Sequence, residues 1–463
     1  MSNSFETFRA AFQGEIVTVE SSDYEAAIAR WAANATRKAK YVAFVKTTED
    51  VSTALKFARD EGLPIAIRGG GHSTSGASSS EGGLVIDLSR YLNAVKIDVE
   101  AKRAYVGGGA IWEAVDKAAI AYGLASVAGA DNTAGVGGLT LGGGQGWLSA
   151  EHGLVIDNLI QATMVIADGS VMTASATENP DLFWAIRGGG SNFGVCVEFV
   201  IQLHEQRKTV YSGFLIFPPH IVDAVLDVTE KWWKAGPGPK GSLVQIVTKG
   251  PPPDYHPCVL VIPFYNGSLD EGREKFKAFL ELQPVDMTKE IPYENANALM
   301  NDYTRPGKQV YMRGVGQTQY SPSVVKETFS AVSERSAPDM QVMMIYDLFP
   351  REKINSIPKD ACAFSTRGLA YNCIAIAVWE QASEMNNEKA KEHIEVLTKI
   401  VSSKEEDPSA SLHRLYSNFI DDDSSRDGSA KVMFGENYPR LQQIKKKYDP
   451  ELIFSKWFAV SPA

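Results

Sequence analysis

The stretch Ile67-Arg68-Gly69-Gly70-Gly71-His72-Ser73-Thr74-Ser75-Gly76 follows directly on the strand-like Leu63-Pro64-Ile65-Ala66-Ile67. Three glycines run into a histidine. Glycine lets the backbone take positive φ and approach a ligand closely. A row of exposed backbone N–H groups then suits a phosphate or pyrophosphate. A histidine at the end of such a loop can bind a metal, carry protons or form a covalent bond. A tight turn with an incidental histidine fits the same ten residues, so the rest of the chain has to decide.

Composition narrows the field. The chain has 463 residues, 44% hydrophobic and 22% charged, as expected of a globular protein with a large core. A net charge of −10 argues against a nucleic-acid surface, which needs a basic patch. The nearest approach to one, Lys445-Lys446-Lys447, reads as a solvated helix face. The cysteines, Cys196, Cys258, Cys362 and Cys373, show neither a CxxC nor a metal-type pairing, and they read as buried thiols. No metal site is expected. There is no signal-peptide pattern and no apolar run near the ~18 residues of a membrane span, so an intracellular, soluble protein is the expectation.

Glycine-rich loops and alternating strand and helix signals fill the first half. Residues 41–45, 64–68, 83–88, 104–106, 159–167 and 195–203 read as strands. A helix starts at 48–50 with Asp50 as its cap, and others cover 112–122 and 181–187. Ala167-Asp168-Gly169-Ser170 reads as a hairpin turn. A second glycine field spans Gly129 to Gly146. Beyond about residue 206 the triple glycines vanish. Strands are expected at 209–217, 243–249, 258–264, 309–318, 340–348 and 368–379. Helices are expected at 221–234, 270–281, 322–335 and 386–401, which gives an antiparallel sheet covered by helices on one face. Residues 249–253, 405–407 and 421–427 read as loops, and 436–451 as a late helix.

Six ordered motifs carry a resemblance. They are Arg68-Gly-Gly-Gly-His-Ser73, Gly135-Val-Gly-Gly-Leu-Thr-Leu-Gly-Gly-Gly144, His152-Gly-Leu-Val-Ile-Asp-Asn158 and Asp181-Leu-Phe-Trp-Ala-Ile-Arg-Gly-Gly-Gly190, then Asn192-Phe-Gly-Val195, and Asn437-Tyr-Pro-Arg-Leu441 with Tyr448-Asp-Pro450. From about residue 36 onward the chain resembles the vanillyl-alcohol-oxidase, or PCMH-type, FAD-binding flavoproteins, in the branch of berberine bridge enzyme and 6-hydroxy-D-nicotine oxidase. The resemblance implies an α+β protein in three stretches. Residues 1–206 would be the FAD-binding portion, 207–414 an inserted substrate domain, and 415–463 a C-terminal segment returning to the FAD side. It implies that His72 bonds covalently to FAD. It places Arg68, Gly69, Gly70, Gly71, Ser73, Gly76, Gly129, Asp131, Thr133, Gly135, Gly138, Gly142, Gly144, Val195 and Asn437 on the cofactor.

Departures from the family pattern matter as much. Relatives with a second flavin link carry a cysteine four residues before the first glycine of Gly-x-Gly-Gly; here that position is Asp131, so a tether through His72 only is expected. Ala134 stands where a small residue admits dioxygen in relatives. The position of the family's glutamate base is Asn372, whose amide does not titrate usefully but can hydrogen-bond and orient a substrate, which keeps it among the catalytic-site candidates, and a frequent tyrosine is Met433. Tyr311, Tyr346 and Asp347 are then the remaining acid–base candidates. Tyr346 and Asp347 are strand neighbours, so only one can face the flavin. Arg367 reads as half of a structural ion pair. The expected activity is hydride transfer from a small amine or alcohol, a specialised metabolite, to FAD, with dioxygen as acceptor. Oxidative cyclisation or dehydrogenation, or flavin binding with little turnover, are the alternatives. Neither nucleic acid nor membrane is an expected partner.

Overall fold

The computed structural model describes residues 3–250, 254–301, 304–368, 371–404, 416–419 and 428–463. The loops read at 405–407 and 421–427, and residues 251–253, lie outside it. The chain is an α+β protein whose described strands form sheets of four, five, two and nine strands.

The four-stranded sheet runs Glu15–Thr18, Tyr41–Phe44, Leu84–Asp87, Ile65–Arg68, and its last two pairings are parallel. Helix Thr48–Asp60 covers it with Val51, Ala54, Leu55 and Ala58, spaced for one buried face. Its cap is Thr47 rather than the expected Asp50: the Thr47 side chain accepts from the Asp50 N–H. The Asp50 carboxylate instead accepts the N–H groups of Gln13 and Lys46, at 2.8 and 2.9 Å. The five-stranded sheet is antiparallel and contains the hairpin read at 167–170, which joins Leu159–Val165 to Val171–Ser175.

Three glycine clusters meet backbone on backbone beside these sheets. A Cβ on Gly69 would lie 2.8 Å from the Gly108 carbonyl, and one on Gly70 would lie 2.6 Å from Gly135 Cα. Part of the second glycine field is a helix, Val136–Leu141, despite poor propensity, because Val136, Thr140 and Leu141 are buried there.

The nine-stranded sheet is built from the middle of the chain. Strands 241–249, 257–265, 309–317, 340–348 and 371–379 pair antiparallel. The strand expected over 209–217 is two strands, Thr209–Ser212 and Leu215–Phe217, parted where Gly213 takes φ +141°. Alternation gives the sheet two faces. One buries Val342, Met344, Tyr346, Cys373 and Ala375 with Val325, Ile394 and Leu397 from helices Pro322–Arg335 and Glu384–Ser402. The other points Val244, Ile246, Ile345, Ile374 and Ile376 into a cavity against the glycine loops. No helix among the described residues is long and apolar enough to cross a membrane.

Helix Tyr438–Tyr448 brings the C-terminal segment back to the first half, where the Tyr448 hydroxyl donates to Asp181 at 2.9 Å. Here the solvated reading of Lys445 fails. Its ammonium is fully buried, 2.5 Å from Asp449, and donates to the carbonyls of Asn192 and Phe454. Asp449 also accepts the N–H groups of Ile453 and Phe454. Breaking a buried pair leaves an uncompensated charge. Lys445→Met is therefore expected to cost about 3–5 kcal/mol in equilibrium urea unfolding. The exposed neighbour serves as control, with Lys446→Met expected within about 0.5 kcal/mol of wild type.

Candidate active site

The cavity between the glycine loops and the large sheet has a volume of about 370 Å³. One wall is backbone and small residues: Gly69 to Thr74, Gly129 to Asp131, and Gly135, Gly137 and Gly138. The other is aliphatic and aromatic, with Trp147 and Phe349 joining the sheet residues.

The loop after the 65–68 strand is the key to the first wall. Among the described residues, the N–H groups of Gly70 to Thr74 donate no hydrogen bond to the protein. Partnerless backbone donors in a sheltered position are rare in native folds and mark a place for a ligand acceptor. A phosphate-bearing cofactor suits them. Gly71 has φ +70°, and a Cβ there would crowd Arg68 and Arg30.

His72 is held from two sides. Its ring stacks on Trp31 at 4.2 Å, and its Nε2 lies 3.3 Å from Thr133 Oγ1 and 3.7 Å from Asp131 Oδ2. Thr133 gives its hydroxyl proton to Asp131 Oδ1 at 2.6 Å. Toward His72 it can only accept, which places the proton on Nε2 and leaves Nδ1 with its lone pair. Burial opposes ionisation of Asp131, but hydrogen bonds from His72 and Thr133 outweigh it and hold the carboxyl below its ordinary value.

Several other residues assigned to the cofactor from sequence stand elsewhere. Arg68 turns from the cavity to pair with Asp87 at 3.1 Å. Gly76 faces Ala35 and Arg37. Val195 is buried among Val165 and Ile86, while its neighbours Gly194 and Cys196 reach the cavity. Gly142 and Gly144 serve the C-terminal segment: a Cβ on Gly142 would lie 2.0 Å from Asn418 Oδ1, and the Gly144 N–H donates to the Tyr416 hydroxyl at 2.8 Å. The Asn437 amide donates to the carbonyls of Lys359, Cys362 and Ala363 and so clamps a loop, since its donors are committed to backbone.

The acid–base candidates separate by strand face. Tyr346 is fully buried on the helix side, hydrogen-bonded to Thr328, so the reading that allowed it on the flavin is corrected. Tyr311 lies on that side too, under Lys391, while its neighbour Met312 lines the cavity. Asp347 lines the cavity, and no group among the described residues hydrogen-bonds its carboxyl. Burial pushes it up to about 7, against the pull of Arg351. Asn372 is buried opposite Asp347 and donates to Gln145 Oε1 at 3.2 Å. Arg367 forms its ion pair with Asp157 at 2.5 Å. Sequence reasoning missed Gln145, Tyr416 and Asn418. Tyr416 accepts from Gly144 and Asn418 and keeps its own proton, because burial pushes its phenol up to about 12.

A glycine cradle with free N–H groups, a histidine at its end and a facing sheet define a flavoprotein site of the berberine-bridge type. Residues 39–175 match the family described as FAD binding domain, and 415–456 match berberine and berberine like. The chain is 32% identical to the FAD-linked oxidoreductase pgmH of Aspergillus terreus, covering 98% of this chain and 95% of that one. The solved 6-hydroxy-D-nicotine oxidase from Arthrobacter nicotinovorans superposes with a TM-score of 0.84 at 26% identity, covering 98% of each chain. Glucooligosaccharide oxidase from Acremonium strictum, with a 6-S-cysteinyl, 8α-N1-histidyl FAD, shares the fold at TM-score 0.86 and 21% identity over 100% of both chains. The chain belongs to the berberine-bridge-enzyme-like family of FAD-linked oxidoreductases.

The backbone contact at Gly70 leaves no room for a methyl group. Gly70→Ala is expected to cost about 1–3 kcal/mol through overpacking and to lower the flavin-to-protein absorbance ratio of the purified chain. An unchanged ratio would contradict the cradle.

Proposed function

We propose that this enzyme is an oxidase that takes hydride from a small amine or alcohol, a specialised metabolite, and passes the electrons to dioxygen. FAD, when bound, supplies the hydride acceptor. The residues that would hold it are the Gly69–Thr74 loop with its free N–H groups, Gly129, Gly135 and Gly138, and His72 as the covalent tether through Nδ1. His72 is proposed as the only tether. Asp131 occupies the alternative position, and Cys196, which also lines the cavity, has a thiol that burial keeps protonated and that donates to the Glu198 carbonyl. Ala134 lines the cavity and keeps that part of the wall small, which supports access for dioxygen. We assign the cofactor to residues 1–206 and 415–463 and the substrate to 207–414, a division the positions of the two family matches support.

One observation carries the choice of base. Among the described residues, Asp347 is the one titratable side chain that the nine-stranded sheet presents to the cavity. It accepts the proton of a substrate hydroxyl as hydride departs, or takes the proton of a substrate ammonium beforehand, so that the nitrogen lone pair is free to drive hydride loss. A carboxyl near 7 suits that task at neutral pH. The sheet residues that line the cavity with it, Val244, Ile246, Ile345, Ile374 and Ile376, are apolar, so this carboxyl is the charged landmark on that wall for the reacting end of the substrate.

Stopped-flow reduction of the flavin, with an amine and alcohol panel under anaerobic conditions, tests this. Below about pH 7 the protonated carboxyl cannot take a proton, so the reduction rate should rise with pH through that value. Asp347→Asn is expected to slow reduction roughly 10²–10⁴-fold and to abolish the rise. A variant that keeps the wild-type pH curve, or a wild type that no member of the panel bleaches, would contradict the assignment.

A further inference from the structure

Trp31 stands ahead of the glycine motifs and outside the family-matched residues 39–175. Its indole lies over the His72 ring, with ring centres 4.2 Å apart and planes 17° from parallel. Both residues line the cavity. Trp31 is itself fixed at three points. Its backbone N–H donates to the Gly71 carbonyl at 3.1 Å, its carbonyl accepts from the Gly307 N–H at 2.9 Å, and Nε1 donates to the Thr304 carbonyl at 2.7 Å. The next residues follow the same partner. The Ala33 N–H donates to the Lys308 carbonyl, and the Asn34 side chain exchanges two bonds of 2.8 Å with the Val310 backbone. Val310 belongs to strand Gln309–Gln317, an edge of the nine-stranded sheet. An aromatic plane is thus pinned from that edge against the histidine that ends the cradle.

Resting on the reading of His72 as the flavin tether, we propose that Trp31 is the positioning residue for that bond: its face holds the imidazole plane for bond formation and stabilises the cation that results. Nδ1 forms a bond to the 8α-methyl carbon of the flavin, and one C–H bond of that methyl group breaks. The electron pair passes through the flavin to dioxygen, which leaves as hydrogen peroxide with the released proton and one from water. Nε2 keeps its proton, because Thr133 can only accept from it, so the ring ends with a positive charge. Three features support the role of Trp31. Thr133 and Asp131 touch only the Nε2 edge of the ring, at 3.3 and 3.7 Å, and a ring held at one edge can still roll about it; a stacked face stops that. An aromatic face attracts a cation centred within about 6 Å, and the His72 ring lies inside that range. The Asp131 carboxylate supplies the opposite charge at the Nε2 edge, so the indole and the carboxylate together form a site for an imidazolium.

Acid precipitation of the purified holoenzyme separates covalent flavin, which stays in the pellet, from flavin released to the supernatant. Absorbance before precipitation gives the total. Trp31→Phe keeps an aromatic face and loses the bond to Thr304. Trp31→Gln and Trp31→Leu lose the face. Trp31 is only partly buried, so all three chains are expected to fold. Wild type and Trp31→Phe should keep their flavin in the pellet. The two faceless variants should bind the same total and retain roughly tenfold less of it in the pellet. A role confined to packing would lower the total instead of moving flavin to the supernatant. A faceless variant with the wild-type pellet share, a Trp31→Phe variant that releases flavin as fully as Trp31→Gln, or a lower total at unchanged pellet share would overturn the proposal alone. A colourless wild-type pellet would overturn the tether reading and the proposal with it.

Discussion

Gly69, Gly70 and Gly135 meet with no side chain between them, and the candidate site depends on that contact. The loop that ends in His72 leaves its strand, crosses the Gly108 carbonyl and lies on the start of helix Val136–Leu141. Packed this way, the N–H groups of Gly70 to Thr74 have no protein partner among the described residues. Cβ atoms here would push the loops apart. The same approach brings Thr133 and Asp131, just ahead of that helix, within reach of the His72 ring. A steric constraint thereby brings together the groups whose hydrogen bonds set the tautomer of a histidine.

The C-terminal return completes the cavity. Tyr416 and Asn418 hold the 139–144 turn through Gly144 and the Leu139 carbonyl. Lys445 and Asp449, buried together, tie the last helix to Asn192 and Phe454. Chain ends far apart in sequence thus fix the glycine wall, while the nine-stranded sheet closes the opposite side. Only one face of that sheet is free for the site, because the helices 322–335 and 384–402 cover the other.

The backbone part of the site was legible in the sequence because glycine clusters have few other uses, and hydrophobic periodicity located most strands of the large sheet. Side-chain partners were harder. Period-two alternation showed that Tyr346 and Asp347 face opposite ways, but not which face the helices would cover. Lys445 looked solvated because its acceptors include the Asn192 carbonyl, 253 positions away. Arg68 and Asn437 sit inside cofactor-like motifs yet serve Asp87 and a distant loop. Gln145 gave no signal at all: a lone glutamine among glycines acquires its meaning only from Arg351, 206 residues downstream.

The claim that one histidine carries the cofactor is most directly tested by mass spectrometry of the denatured protein, followed by peptide mapping. The chain should carry the mass of a single FAD, and the modification should map to the peptide containing His72 and vanish in His72→Ala. An unmodified chain, or flavin found on the peptide containing Cys196, would contradict it.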